Sequence, residues 1–78
     1  MKLLLICNEK KIYEGEVSQI NVETANGKVT ILPRHQPYMA KIFGSVSYMP
    51  DGANAVSIDI TEGFIYTDGT TCFTVVDE

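Results

Sequence analysis

Branching at Cβ dominates this chain of 78 residues, in which Val, Ile and Thr together fill 22 positions while Leu occurs only at 3, 4, 5 and 32. A branched Cβ loses rotamer freedom in a helix and packs well on a pleated surface, so the balance predicts β structure nearly throughout. The turn signals sharpen this. Asn26-Gly27, Pro50-Asp51-Gly52 and Asp68-Gly69 leave only short runs between them, the spacing of a sandwich or barrel and not of βαβ units. No segment keeps a helical period free of Gly and Pro for the roughly ten residues a stable helix needs. The reading is all-β: a small β-sandwich or flattened barrel of about eight to ten short, mostly antiparallel strands, forming one domain over residues 1–78.

Along the chain, the continuous apolar run 2–7 predicts a first strand covered on both sides, followed by a polar turn at 8–11. A second strand reaches Glu23, with Ile20 and Val22 on the core face and Gln19, Asn21 and Glu23 on the wet face. Asn26-Gly27 closes a hairpin onto a return strand that turns Val29 and Ile31 inward. Further strands are expected at 39–43 and 45–49, bent at Gly44, then at 53–60, broken by Thr61-Glu62-Gly63, and at 64–67 and 71–76. Tyr13, Tyr48, Tyr66, Phe43, Phe64 and Phe73 read as core and rim residues. Tyr38, beside Pro37, reads as the aromatic exposed for a partner.

The net charge is −4, and no cluster of Lys and Arg offers the phosphate-neutralising patch that nucleic-acid binders need, so nucleic acid is excluded as a partner. The apolar run at the N-terminus is cut by Asn8-Glu9-Lys10-Lys11 before it reaches the length of a secretory signal, and nothing approaches a transmembrane helix. Cys7 and Cys72 lack a CxxC spacing and read as buried, reduced thiols, with a disulfide between them as the alternative. A lone His35 with no second His is a poor metal site, and a metal-binding barrel of the cupin kind needs several. No metal, cofactor or catalytic group is expected.

Residues 27–38 hold the only His, the only Arg and two of the three Pro. Pro33 and Pro37 remove backbone donors and fix φ, so they end the return strand and stiffen an exposed loop suited to docking. Around this loop the chain resembles the N-terminal β-sandwich of the epsilon subunit of F-type ATP synthases, called delta in mitochondria. The likeness rests on Lys10-Lys11-Ile12-Tyr13-Glu14-Gly15-Glu16-Val17, Ile31-Leu32-Pro33-Arg34-His35-Gln36-Pro37-Tyr38, Thr61-Glu62-Gly63-Phe64-Ile65 and Cys72-Phe73-Thr74-Val75-Val76-Asp77. The second segment is the most specific, resembling the family's Ile-Leu-Pro-Gly-His-x-Pro-Leu.

The resemblance implies a non-catalytic central-stalk subunit that docks the foot of the gamma subunit onto the polar loops of the membrane c-ring and couples proton-driven rotation to ATP synthesis. It implies a c-ring side at Lys28, Val29, Thr30 and Arg34, and a gamma side at Cys7, His35, Tyr38, Met39 and Ala40. It also implies a peripheral place on the cytoplasmic face of a bacterial inner membrane, or the matrix side in an organelle, with membrane association only through the complex. Family members continue into a two-helix C-terminal hairpin; these residues are expected to form the sandwich alone, without the hairpin's inhibitory and nucleotide-binding roles. Lys28 stands where the family has an acid, and Arg34 and Glu62 where it has glycines. The bases at Lys28 and Arg34 imply a ring loop that is less basic than usual or that pairs through other groups. A free-standing β-sandwich adaptor using the same loop is the alternative.

Overall fold

The structure, a computed structural model, describes all of residues 1–78 and contains six strands: β1 (Lys2–Cys7), β2 (Lys10–Thr24), β3 (Gly27–Ile31), β4 (Tyr38–Pro50), β5 (Val56–Thr67) and β6 (Thr71–Asp77). Their order is β1-β6-β5-β4-β2-β3, and a further β1–β2 pairing closes the first five into a flattened barrel. All pairings are antiparallel except β1 with β6. The all-β sandwich is as expected. The strand count is lower than the eight to ten expected, because β4 and β5 run on through Gly44 and Thr61-Glu62-Gly63, which resemble strand ends in the sequence.

β2 and β5 each carry a phase slip in the period-2 pattern, whereas the inward residues of β4 stay even-numbered throughout. In β2 the inward positions are Tyr13, Gly15 and Val17, then Ile20, Val22 and Thr24, so odd numbers give way to even ones. The register shows why: Val17 faces Pro50 and Gln19 faces Met49, leaving Ser18 as one extra residue. In β5 the inward set passes from Ile58 and Ile60 to Gly63, Ile65 and Thr67, with Thr61 unmatched between Ile60, opposite Gly44, and Glu62, opposite Phe43. A bulge of this kind bends its strand and increases twist. Both extra residues carry hydroxyls that the ladder can use, since Ser18 Oγ donates to the Met49 carbonyl at 3.3 Å and Thr61 Oγ1 to the Asp77 carbonyl at 2.9 Å.

The bends divide the molecule into two layers. The first contains β1, β6 and the halves of β2, β4 and β5 at 10–16, 38–43 and 62–67; the second contains β3 and the halves at 19–24, 44–50 and 56–60. Between them lies a core of 14 buried apolar residues, among them Leu3, Leu5, Ile20, Ile31, Ile42, Val46 and Ile65. Tyr13 and Tyr48 fill one side of it with ring centroids 4.7 Å apart. Within the first layer the β1–β2 hairpin is tight: Asn8 (φ 50°) and Glu9 (φ 69°) adopt the two positive φ angles of a turn matched to strand twist.

Within the first layer, β5 and β6 approach closely enough at one point to exclude a side chain. Gly63 is buried, and a Cβ there would overlap the Val75 carbonyl oxygen and the Val76 backbone. Gly63→Ala therefore forces β5 away from β6, an overpacking cost of about 2 kcal/mol. Thermal unfolding is expected to shift down by roughly 10 °C; an unchanged melting temperature would show that the two strands separate freely.

Candidate docking faces

The outer surface of the first layer is apolar. Met39, Phe64, Tyr66, Phe73 and Val75 are all exposed, Met39 at 72% and Phe64 at 60%. They are neighbours by register: Met39 faces Tyr66, Tyr66 faces Phe73 and Phe64 faces Val75, while the half-buried Leu4 and Ile6 of β1 continue the surface beside Phe73 and Val75. Apolar side chains scattered singly on a surface carry no message, whereas a contiguous set across four strands marks an interaction site. Charged pairs frame it. Lys2 and Lys11 reach Glu14 at 3.4 and 2.8 Å on one flank, and Lys41 reaches Glu62 at 3.5 Å on the other. The hydrogen bond from Lys11, and then that from Lys2, holds the Glu14 carboxyl below the usual carboxylate range. Exposed pairs like these add little stability but leave the rim polar around an apolar centre, as in a protein–protein interface.

Two sequence expectations are corrected here. The first strand is covered on its inner side only, and nothing in this chain covers Leu4 and Ile6 from outside. Of the aromatics read as core and rim, Phe43, Phe64, Tyr66 and Phe73 point outward. Their inward neighbours are smaller, Gly63, Ile65, Thr67, Cys72, Thr74 and Val76, because the interior of so flat a barrel has no room for rings there. The one signal lies around Phe73, whose neighbours Cys72 and Thr74 on the opposite side of β6 are small, the reverse of a strand whose bulky side belongs in a core.

The outer surface of the second layer is polar. Asn21 and Glu23 of β2, Lys28 and Thr30 of β3, and Ser45 and Ser47 of β4 line an open cleft of about 340 Å³. Thr30 Oγ1 donates to Asn21 Oδ1 at 2.6 Å, joining cross-strand partners.

The Pro-rich loop spans from one layer to the other. The Arg34 N–H donates to the Gly69 carbonyl at 2.7 Å, and the His35 N–H to the Leu32 carbonyl at 3.1 Å. The His35 ring stands edge-on to Tyr38, with centroids 5.7 Å apart, and its Nδ1 lies 2.7 Å from the Gln36 carbonyl. Tyr38, expected to be exposed, is instead half-buried against the core, because it is the first inward residue of β4.

The residues expected to bind partners therefore separate. Lys28 and Thr30 open onto the polar cleft, Val29 packs inward beneath them, and Arg34 stands beyond the opposite end of β3. Met39 lies in the apolar face, Ala40 turns toward the core, and His35 and Tyr38 flank the face near its Gly69 end. Cys7 is buried at the other end of β1, where its thiol donates to Glu78 Oε1 at 3.3 Å, and burial together with the Glu78 carboxylate pushes its pKa up. Burial raises Cys72 as well. In the parallel β1–β6 register Cys7 faces Val76 and Cys72 faces Leu3, a separation of about 13 Å along the strands, so no disulfide joins them.

The class these features define is a rigid two-layer β-sandwich with one apolar and one polar outer face, a module built for docking. The chain belongs to the ATP synthase delta/epsilon chain β-sandwich domain family, whose model matches residues 1–78. It is 29% identical over 79 residues to the chloroplastic ATP synthase epsilon chain of Bigelowiella natans, covering 99% of this chain and 58% of that one. With the ATP synthase epsilon chain of Halalkalibacterium halodurans it shares 30% over 61 residues, or 78% of this chain and 46% of the relative. The chain thus spans about half the length of the relatives it matches. Its fold is that of a chain in the Euglena gracilis mitochondrial ATP synthase, in a structure of OSCP, F1 and c-ring, with a TM-score of 0.86 at 19% identity over 95% of this chain and 48% of that one. A chain of the Tetrahymena thermophila mitochondrial ATP synthase central stalk and c-ring gives 0.83 at 16%, over 100% and 63%.

Attachment of the Pro-rich loop to the β5–β6 turn carries an acid dependence. Asp68 Oδ1 accepts from the Thr71 N–H at 2.8 Å and from the N–H and Oγ1 of Thr70 at 2.9 and 3.0 Å, and the Thr71 backbone bond above all lowers its pKa. A carboxyl depressed by folding stabilises the native state above the ordinary Asp pKa of about 3.9, and that contribution is lost as pH falls through the folded value. Stability measured by urea unfolding is therefore expected to decline below about pH 4, and Asp68→Asn to make that decline shallower. An equally steep acid limb in the variant would contradict the assignment.

Proposed function

We propose that this chain is a non-catalytic central-stalk subunit of an F-type ATP synthase, seating the gamma subunit on one outer face and the c-ring on the other. The apolar face of the first layer carries the reading. A rotor part transmits torque only if it is stiff and gripped on two sides, and 41 of the 49 backbone hydrogen bonds here lie within the strand ladders of one closed barrel. Family membership supplies the context.

The foot of gamma covers the apolar face, with Met39 inside the contact, His35, Tyr38 and Ala40 at one end and the Cys7 end of β1 at the other. The polar loops of the ring meet the tip of the second layer at Lys28 and Thr30, with Val29 packed inward beneath them as their support, and Arg34 forms a separate point of contact. The protein then reaches the membrane only through the complex, on the cytoplasmic face of a bacterial inner membrane or the matrix side of an organelle.

Binding of the chain to cognate gamma, followed by calorimetry, tests this. Phe73→Asp places a charge at the centre of the apolar face without entering the core, so the unfolding free energy stays within about 0.5 kcal/mol of the original. Affinity for gamma is expected to fall by roughly 30-fold or more, the loss of one central aromatic anchor. Unchanged affinity in the folded variant would move gamma elsewhere, and a wild-type chain that ignores gamma would remove the stalk reading.

A further inference from the structure

We propose that the cleft on the outer face of the second layer is a carboxylate-accepting site, entered by an Asp or Glu side chain from a polar loop of the ring. This rests on the placement of the ring just given, but its chemistry comes from the cleft itself. Glu23 and Lys28 are directly opposed in the β2–β3 register, an arrangement that ordinarily yields a cross-strand ion pair. Lys28 nevertheless takes part in none of the protein's four ion pairs.

The cause is Gly44. The Glu23 carboxylate leans away from Lys28 toward β4, where Ser45 Oγ donates to its Oε2 at 3.4 Å, and it lies over the bare backbone of Gly44. A Cβ at Gly44 would overlap that oxygen, and the positive φ of 83° there already disfavours any other residue. The acid is thus held against the β4 wall.

Glu23 still lines the cleft at its β4 side, and the rest of the lining is a set of donors. The Lys28 ammonium has no internal counter-ion. The Asn21 carbonyl oxygen is occupied by Thr30, which leaves the amide nitrogen as its free end, and the Ser47 hydroxyl stands opposite Asn21. One cation flanked by neutral donors matches a carboxylate. A phosphate or a nucleic-acid backbone requires several cations, and only one lines the cleft. A basic side chain would meet the Lys28 charge with Glu23 already turned aside. The overall charge of −4 does not oppose an acid here, because charges beyond about 8 Å are screened at physiological salt.

The isolated 78-residue chain, which has its own closed core, provides a test that does not involve the ring. In ¹⁵N NMR titrations the peptide Ac-Gly-Asp-Gly-NH₂ is expected to shift the Asn21 side-chain amide and the Lys28 and Ser47 backbone amides saturably. Its affinity should exceed that of the Asn version by roughly three- to fivefold, the range for one partly solvated ion pair. Lys28→Gln should remove the preference and Glu23→Gln should widen it. Opposite signs from two facing residues are not the result of a merely structural role. Equal responses to the two peptides, or a preference that survives Lys28→Gln, would overturn the proposal.

Purified c-ring supplies the second arm, with Lys28→Gln weakening and Glu23→Gln tightening the complex. If the ring binds and Lys28→Gln changes nothing, the carboxylate site is wrong while the ring placement stands. If the Asp preference holds but the ring does not bind, the occupant named here is wrong and the stalk reading fails with it.

Discussion

The two-layer form of this protein depends on two extra residues that change the inward phase of their strands. Ser18 and Thr61 each insert one position into a strand pair, and each reverses which side chains face inward from that point on. Without the reversal β2 and β5 would carry a single apolar side along their whole length, and the ladder would be an open ribbon. With it, three long strands pass from one layer to the other, and the sheet closes on a core only a few side chains deep. The layers are then continuous through covalent backbone, so a force applied to one outer face reaches the other without crossing a hinge. The hydroxyls of Ser18 and Thr61 make this tolerable, because they bond to carbonyls of the neighbouring strands where the ladder is interrupted.

Closure of so thin a barrel also determines where the large residues go. Inward positions on β5 and β6 are restricted to small and branched side chains, with Gly63 at the tightest approach, and the rings of Phe64, Tyr66 and Phe73 are displaced to the outside. The resulting apolar surface is stable in water only at a cost that a partner can offset. The second layer has the opposite character, since its wide outer face is made of amide, hydroxyl and charged groups that need no cover. A body with one face that seeks burial and one that seeks polar contact has a built-in orientation, and this is the property a stalk subunit between a shaft and a ring requires.

Much of this was legible in the sequence. The β-branched excess gave the fold class, and the placement of Pro33 and Pro37 gave the stiff loop. The family resemblance in 31–38 agreed with the family to which the chain belongs. The strand count was not legible, because Gly44 and Thr61-Glu62-Gly63 carry the residue types of a strand end and serve as a bend and a bulge. Distinguishing them requires the partner strand: only the register shows that Thr61 is unmatched. The apolar face was missed for a related reason. An outward Phe and an inward Phe look alike in a strand whose two sides are both apolar, and only the small inward neighbours Cys72 and Thr74 distinguish them. The unbroken run in β1 is apolar on both sides, but only its inner side is covered, so continuity of the run did not reveal that the other side is open.

Burial of the apolar face in the gamma complex is the claim on which the rest depends. Methyl-detected NMR with a soluble paramagnetic probe, comparing the free chain with its complex with cognate gamma, measures it directly. The methyls of Ile6, Met39 and Val75 are expected to lose their accessibility on binding, while Thr30 beside the polar cleft keeps its own. If Met39 and Val75 stay fully accessible in a formed complex, the apolar face is not where gamma sits, and the orientation argued from the two layers is wrong.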